Sequence, residues 1–439
     1  MTPPHASAPP ALGTPLARAG HKSDGGTPAA ALGAYSLLAV PLMMTALPLN
    51  ILLPDFYAAS SALSLQAIGL VLLATRLVDA VADPLLGSWV DAQKSRGSYL
   101  RPILLAAPVL TVAFLLVFRP PRLDGGGQAA WLFVTLAAAY LGYSLATVAY
   151  QAWGAELAHD DAGRARITGA REGAGLIGVL IGGSLPQLAG YGAAVATLVA
   201  LLALGLAALA WRAPRPPRAR PLPTGNPYLS FVVPLASRNT RWLLGIFALN
   251  ALAPSITATV FLFFVADRLG LQDGAPAFLA VYFLAGAASM PLWTRLARRF
   301  PLQGLWLAGM VVAVAAFVWA YWLPAGAAGA FTAICVLSGL AFGADLALPP
   351  ALLARVIDAN GHGGQREGAY FGLWNFVNKL VLAVAGALAL SILEALGYSR
   401  GAQDAAALDA LAFTYAVLPC GLKLVAAVWL LAAWRGDRF

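Results

Sequence analysis

The run Arg76-Leu77-Val78-Asp79-Ala80-Val81-Ala82-Asp83-Pro84-Leu85-Leu86-Gly87-Ser88-Trp89-Val90-Asp91 places three charges inside an otherwise apolar helix. Spacings of three and four put Arg76, Asp79 and Asp83 on one helical stripe. Each charge at mid-membrane costs roughly 2.5 to 3.5 kcal/mol on insertion scales, about 9 kcal/mol for three. The eleven Leu, Ile and Val residues from Ile68 to Val90 return only about 5 kcal/mol, at roughly 0.3 to 0.6 kcal/mol each. This stripe therefore faces away from lipid. Its charges pair with one another or line a watery cavity, and such charges usually mark an ion or substrate path.

Working outward, the chain is 60% hydrophobic and 11% charged, against roughly 45 to 50% and about 25% in a soluble domain. That composition describes a polytopic membrane protein. Runs long enough to span, about 20 residues, fall near 33–54, 63–90, 100–118, 129–157, 164–187 and 192–211, then near 239–266, 275–298, 302–322, 328–354, 367–395 and 406–434. Between the two sets lies WRAPRPPRARPLPTGNPYLSF, residues 211–231, whose prolines forbid a spanning helix. The expected layout is twelve helices in two six-helix bundles, 31–211 and 239–434. A disordered tail at 1–30, a linker at 212–238 and a short tail at 435–439 complete it. The first residues lack the apolar stretch of a signal peptide, so the first run is expected to stay as a membrane helix.

A formal charge of +9 suits nucleic acid or basic cytoplasmic loops, and position decides between them. With the N-terminus inside, twenty Lys and Arg fall in cytoplasmic segments. Only Arg119, Arg122, Arg268 and Arg400 fall outside, and Arg76, Arg171, Lys379 and Lys423 lie within helices. Both termini are therefore expected inside, and no nucleic-acid partner is needed. Cys335 and Cys420 lie in apolar runs and read as small buried hydrophobes, not as a disulfide or a metal cluster.

Depth follows from the rise of about 1.5 Å per residue. Counted from Asp91, Asp83 lies about 12 Å in, Asp79 about 18 Å and Arg76 about 22 Å. Lys379, counted from Glu367, also lies about 18 Å deep, and Arg171, counted from Arg164, about 11 Å. Charges from distant parts of the chain thus share the middle of the membrane, the layout of a secondary transporter. Two carboxylates beside a helix-bending proline offer oxygen ligands to a small hard cation, or hold a proton between them. The expected pair, Asp79 and Asp83, serves Na⁺ as a metal ligand set or H⁺ as a titrating pair.

Three blocks in this order resemble a known signature. They are the Arg76–Asp91 stretch with its basic turn to Arg101-Pro102, Tyr150-Gln151-Ala152-Trp153-Gly154-Ala155-Glu156 running on to Arg164, and Arg366-Glu367-Gly368-Ala369-Tyr370-Phe371-Gly372-Leu373-Trp374-Asn375 running on to Lys379. The chain is similar to the melibiose permease-like family, the glycoside-pentoside-hexuronide:cation symporters of the major facilitator superfamily. The resemblance implies an all-α membrane protein with the major facilitator fold, no enzymatic activity, no cofactor beyond the coupling ion, and a small-molecule substrate. It implies Asp79 and Asp83 as the cation site, Arg171 as the family's fifth-helix arginine and Lys379 as its eleventh-helix lysine. Where family members carry an asparagine before the second aspartate, or sugar-binding aspartates on helices one and four, this chain has Ala82, Met43 and Ala149; Arg355 replaces an aspartate ahead of Asp358.

Side-chain chemistry supplies the remaining candidates. Tyr150, Trp153 and Trp374 offer rings for a pyranose face or an acyl chain. Arg76, Arg171 and Lys379 could grip an anion, and Asn375 hydrogen-bonds from the face of Lys379. Asp91, Arg96, Arg101, Glu156, Arg164, Asp358, Arg366 and Glu367 are the expected cytoplasmic gate. The expected function is Na⁺- or H⁺-coupled symport of a sugar, glycoside or sugar acid by alternating access, by a monomer in an inner membrane. A lysophospholipid carrier of the same fold and an enzyme on lipid-linked sugars are the alternatives.

Overall fold

A computed structural model describes residues 28–61, 63–95, 98–216, 231–399, 401 and 404–436. The expected tail at 1–30 and linker at 212–238 fall largely outside them, as does Arg96. Among the described residues the chain is helical, without strands. We number the helices α1 (Ala29–Asn50), α2 (Leu65–Ser95), α3 (Leu100–Val117), α4 (Gly125–Ala155), α5 (Asp161–Trp211), α6 (Arg238–Arg268), α7 (Gln272–Leu296), α8 (Leu302–Trp322), α9 (Ala328–Ala359), α10 (Glu367–Ala395) and α11 (Ala405–Arg435).

Ten of these are long and apolar enough to cross a membrane. The remaining helix, α2, is 31 residues long and carries the charged stripe. α5 is 51 residues long, about 77 Å at the helical rise and so more than twice the apolar thickness of a bilayer. It is two arms, broken at Gly190, whose φ of 81° takes the left-handed region that glycine enters without a Cβ clash. Side chains of Asp124, Asp160, Ser237 and Asp404 accept hydrogen bonds from backbone N–H groups at helix starts, relieving donors that have no partner in the first turn. α2 continues through Pro84, as membrane helices often do.

The buried apolar side chains divide in a way that fixes the molecule's shape. One cluster joins both sets of helices. Val90, Tyr99, Tyr150 and Trp153 of α2–α4 and their loops pack in it with Leu243, Trp293, Leu352, Phe371 and Trp374 of α6–α10. These residues lie toward the helix ends that carry the basic loops, here called the basic end. Toward the opposite end, Leu49, Tyr57, Phe114, Leu136 and Leu198 form a cluster confined to α1–α5 and the short helix Leu53–Ser60. Ile256, Phe264, Phe331, Leu393 and Tyr415 form another, confined to α6–α11. Helices α1–α5 and α6–α11 thus share a core at the basic end and keep separate cores at the other.

Candidate functional site

At the level where the shared core ends, the ammonium of Lys379 on α10 enters the charged stripe of α2. Its Nζ lies 2.7 Å from Oδ2 of Asp79 and 2.7 Å from Oδ2 of Asp83. It also donates to Ser144 Oγ on α4 at 2.8 Å, and Ser144 in turn donates to Asp79 Oδ1 at 2.7 Å. Asp79 and Asp83 are both buried, Asp83 completely. Beyond the Lys379 ammonium, no well-aligned donor reaches the Asp83 carboxylate. A fully buried carboxylate normally has its lone pairs filled. Two carboxylates and a hydroxyl from two helices converge here, and the only positive charge among them comes from the opposite set of helices.

The other expected substrate residues disperse around this centre. Arg76 does not close an ion pair with its own stripe: its Nη2 donates to Asn50 Oδ1 on α1 at 3.2 Å, and Tyr140 OH donates to the same oxygen at 3.3 Å. The Arg76 side chain is exposed, one turn further from the basic end than Asp79. Asn375 donates to Gln151 on α4 at 2.9 Å, a second side-chain tie between α10 and the first set of helices. Arg171 is buried and grips its neighbour Glu172 through Nε at 3.0 Å and Nη2 at 2.6 Å. Three aromatic candidates are engaged elsewhere. Tyr150 and Tyr35 exchange hydroxyl-to-carbonyl bonds of 2.7 and 3.0 Å, Trp153 donates to the Pro214 carbonyl at 2.8 Å, and Trp374 stacks on Phe247. These rings sit in the shared core, away from the Lys379 cluster.

Five of the eight expected gate residues, Asp91, Glu156, Arg164, Asp358 and Glu367, make contacts that close the basic end. Asp91 accepts from the backbone N–H groups of Gly368 at 2.6 Å and Ala369 at 2.8 Å, the first turn of α10. A carboxylate there meets both unpaired donors and the positive end of the helix dipole. The two helices touch backbone to backbone: a Cβ added to Gly87 would run into the Gly368 carbonyl, and one added to Gly372 would meet the Asp83 carbonyl at 2.5 Å. Beside them Lys94 pairs with Glu156, and Tyr99 OH donates to Glu156 and, at 3.4 Å, to Glu367. Across the second seam Arg164 pairs with Asp358, Arg355 with Asp161 at 3.0 Å, and Thr168 donates to the Ala347 carbonyl at 2.7 Å. Arg355, which departs from the family pattern, has its counter-charge in Asp161. Arg366 precedes α10 and leaves a buried Nε without a partner, while Arg101 is exposed at the start of α3.

Several participants carried no sequence signal strong enough to single them out. Ser144, Tyr99 and the Gly87, Gly368 and Gly372 contacts belong here, because a serine or glycine acquires its role only from what faces it. A further group is the buried set Asp345, Lys423, Asn250 and Trp306 in α6–α11. It had a trace: Leu49-Asn50, Leu52 and Pro54 recur as Leu249-Asn250, Leu252 and Pro254, 200 positions on. Among the described residues, no three His, Cys, Asp or Glu side chains converge as a metal-holding group.

A helical protein closed at one end, with buried charges bridging its two sets of helices at mid-depth, is a membrane transporter of the major facilitator type. Residues 34–432 match the family described as MFS/sugar transport protein, and the chain belongs to that family. It is 24% identical over 395 residues to the glucuronide carrier protein homolog of Escherichia coli (strain K12), covering 85% of each chain. It is 23% identical over 401 residues to the inner membrane symporter YicJ of the same organism, covering 85% of this chain and 84% of that one. These relatives agree with the glycoside-pentoside-hexuronide:cation resemblance. Among solved structures it is similar to a bacterial homologue of the iron transporter ferroportin in an outward-facing state, with TM-score 0.65 and 15% identity over 92% of this chain and 98% of that one. The E. coli fucose:proton symporter FucP matches with TM-score 0.64 and 14% identity over 92% of this chain and 98% of that one. Both show the fold alone, and fold and family are those of transporters rather than enzymes.

Proposed function

We propose that the chain is a cation-coupled symporter of a sugar, glycoside or sugar acid, working by alternating access with Asp79 and Asp83 as its cation site. The single observation that carries this is the fully buried Asp83 carboxylate, whose counter-charge is the Lys379 ammonium from the opposite half. The oxygen-rich surroundings of Asp79, Asp83 and Ser144 suit Na⁺ or a proton as the transported cation. An arriving cation takes the place of the Lys379 charge, frees that ammonium, and so loosens one tie between the halves. By linkage, substrate and cation then tighten each other's binding by the same factor.

The topology that goes with this reading has twelve spans: the two arms of α5, the charged α2 and the remaining nine helices. The halves are 31–211 and 239–434, joined by a linker at 212–238, and both termini lie on the basic, cytoplasmic side of an inner membrane. On this reading the shared core at the basic end corresponds to an outward-facing conformation, with a gate built from Asp91, Glu156, Arg164, Asp358 and Glu367 closed; the contacts at that end support it. The functional unit of this reading is a monomer. The relatives named glucuronide carrier and symporter support a sugar-type substrate coupled to a cation.

Accumulation in energised membrane vesicles tests the reading. With a panel of sugars, glucuronides and lysophospholipids, and with Na⁺ and pH gradients imposed separately, the wild type should concentrate one sugar-type substrate under one gradient. Asp79→Asn and Asp83→Asn should abolish concentration. Undiminished accumulation in both variants overturns the cation site, and accumulation of lysophospholipid alone overturns the substrate class.

A further inference from the structure

Within the α6–α11 set, four helices meet at a second charge pair. Lys423 Nζ on α11 lies 2.6 Å from Asp345 Oδ2 on α9 and donates to Asn250 Oδ1 on α6 at 2.7 Å. Asp345 Oδ1 accepts from Asn250 Nδ2 at 3.1 Å and from Trp306 Nε1 on α8 at 3.0 Å. Asn250 and Lys423 are buried, Trp306 fully so.

Stability alone does not account for such a group, since an apolar set of similar volume is often as stable as a buried ion pair. Its geometry repeats that of the Lys379 cluster. In both, an ammonium sits within 2.7 Å of a carboxylate and also contacts a neutral side-chain oxygen on another helix, Ser144 Oγ at 2.8 Å in one and Asn250 Oδ1 at 2.7 Å in the other; Lys379 alone has a second carboxylate, Asp83, at 2.7 Å. Both lie at one depth. Lys379, Asn250 and Lys423 are each twelve residues from the helix bounds Glu367, Arg238 and Arg435, about 18 Å, and Asp79 is twelve residues from Asp91, the residue of α2 that meets the first turn of α10.

We propose that Asp345, Asn250 and Trp306 form a second cation-holding pocket, and that Lys423 fills it permanently with the chain's own ammonium. Further differences separate it from the Lys379 cluster. Lys379 reaches from one half into the other, so the halves cannot part while it stays; Lys423 and all its partners belong to the same set of helices and travel together. The Lys379 side chain is 24% exposed against 10% for Lys423, and both Asp345 oxygens have well-aligned donors, two of them besides the ammonium. One pocket can exchange its ammonium for an outside cation; the other is sealed. Only the consequence that a single external cation is coupled per cycle rests on the reading of Asp79 and Asp83; the pocket itself stands on geometry.

The test uses purified full-length protein carrying Asp79→Asn and Asp83→Asn, which silences the first site, and reads Tm against salts at constant ionic strength. With Lys423 intact, Na⁺, Li⁺ and propylammonium should give no rise beyond a choline control. With Lys423→Ala added, propylammonium, the fragment that the truncation removes, should raise Tm saturably, because a ligand that binds only the folded state stabilises it. Neutral 1-propanol should not, and further Asp345→Asn should remove the effect. A cation-specific rise while Lys423 is present overturns the sealed pocket. No rise with propylammonium in the Ala variant, or a rise that survives Asp345→Asn, overturns the pocket. Failure of the Ala variant to fold even in propylammonium, while the neutral pair Asp345→Asn with Lys423→Met folds, also overturns it in favour of a purely structural pair.

Discussion

The Lys379 ammonium stands 2.7 Å from Oδ2 of Asp83 and forms an ion pair with that fully buried carboxylate. Removing one partner of a buried pair typically costs about 3 to 5 kcal/mol, because the other charge remains buried alone. Lys379→Met should therefore lower thermal stability in cation-free buffer, and saturating coupling cation should restore much of the loss by taking the ammonium's place. Tm measured with and without Na⁺, and at acidic and alkaline pH, checks this. A loss that neither Na⁺ nor acid repairs would show that Lys379 is not standing in for a cation.

Asp91 holds the start of α10 through two backbone N–H groups. Hydrogen bonds to a charged group are worth about 1.5 to 3 kcal/mol each, and a bias of 1 to 3 kcal/mol changes a two-state ratio by roughly 5- to 150-fold. Asp91→Ala should shift the protein toward an arrangement open at the basic end. Distances between spin labels at Gln93 and Gln365 should gain a longer component.

Gly87 tests the same seam by volume instead of charge. Gly87→Ala drives a methyl group into the Gly368 carbonyl, whereas Gly69 of the same helix has nothing within 4 Å of an added Cβ. Gly87→Ala should lengthen the same spin-label distance and slow transport. Gly69→Ala should leave both unchanged or add about 1 kcal/mol of helix stability.

His362 gives the loop before α10 a pH response. Burial, and after it the Arg366 guanidinium, hold its imidazole below the usual value, and its Nδ1 lies 2.9 Å from Tyr370 OH. Because the folded value is the lower one, the unfolded chain takes up the proton first as pH falls. Stability should drop from about pH 6.5, the ordinary histidine value, down to the folded value and then level off. His362→Gln should flatten that part of the profile in thermal unfolding at graded pH.

Much of the site was legible in the chain, for reasons that differ residue by residue. Asp79, Asp83 and Lys379 stood out because a charge in an apolar helix is expensive wherever the helix goes, and equal depth followed from a fixed rise per residue. Asp91, Glu156, Arg164 and Asp358 were legible as charges at helix ends. Their partners were not: that Arg355 answers Asp161, or that Asp91 meets backbone rather than an arginine, depends on which helix ends the fold brings together. The aromatic candidates show the limit most clearly. Tyr150 and Trp153 carry the right chemistry for a ligand, yet helix rotation turns them into the shared core, where backbone carbonyls take their donors.

The stripe from Arg76 to Asp91 by itself determined that this is a membrane protein whose second long helix carries charges that cannot face lipid, since insertion energy depends on residue type and position along one helix. Which charges meet was decided only by tertiary structure. Arg76 turns to Asn50, while Lys379, from almost 300 residues further along, comes between Asp79 and Asp83. A pairing between distant helices depends on their rotation and approach, and those are set by the packing of every helix between them.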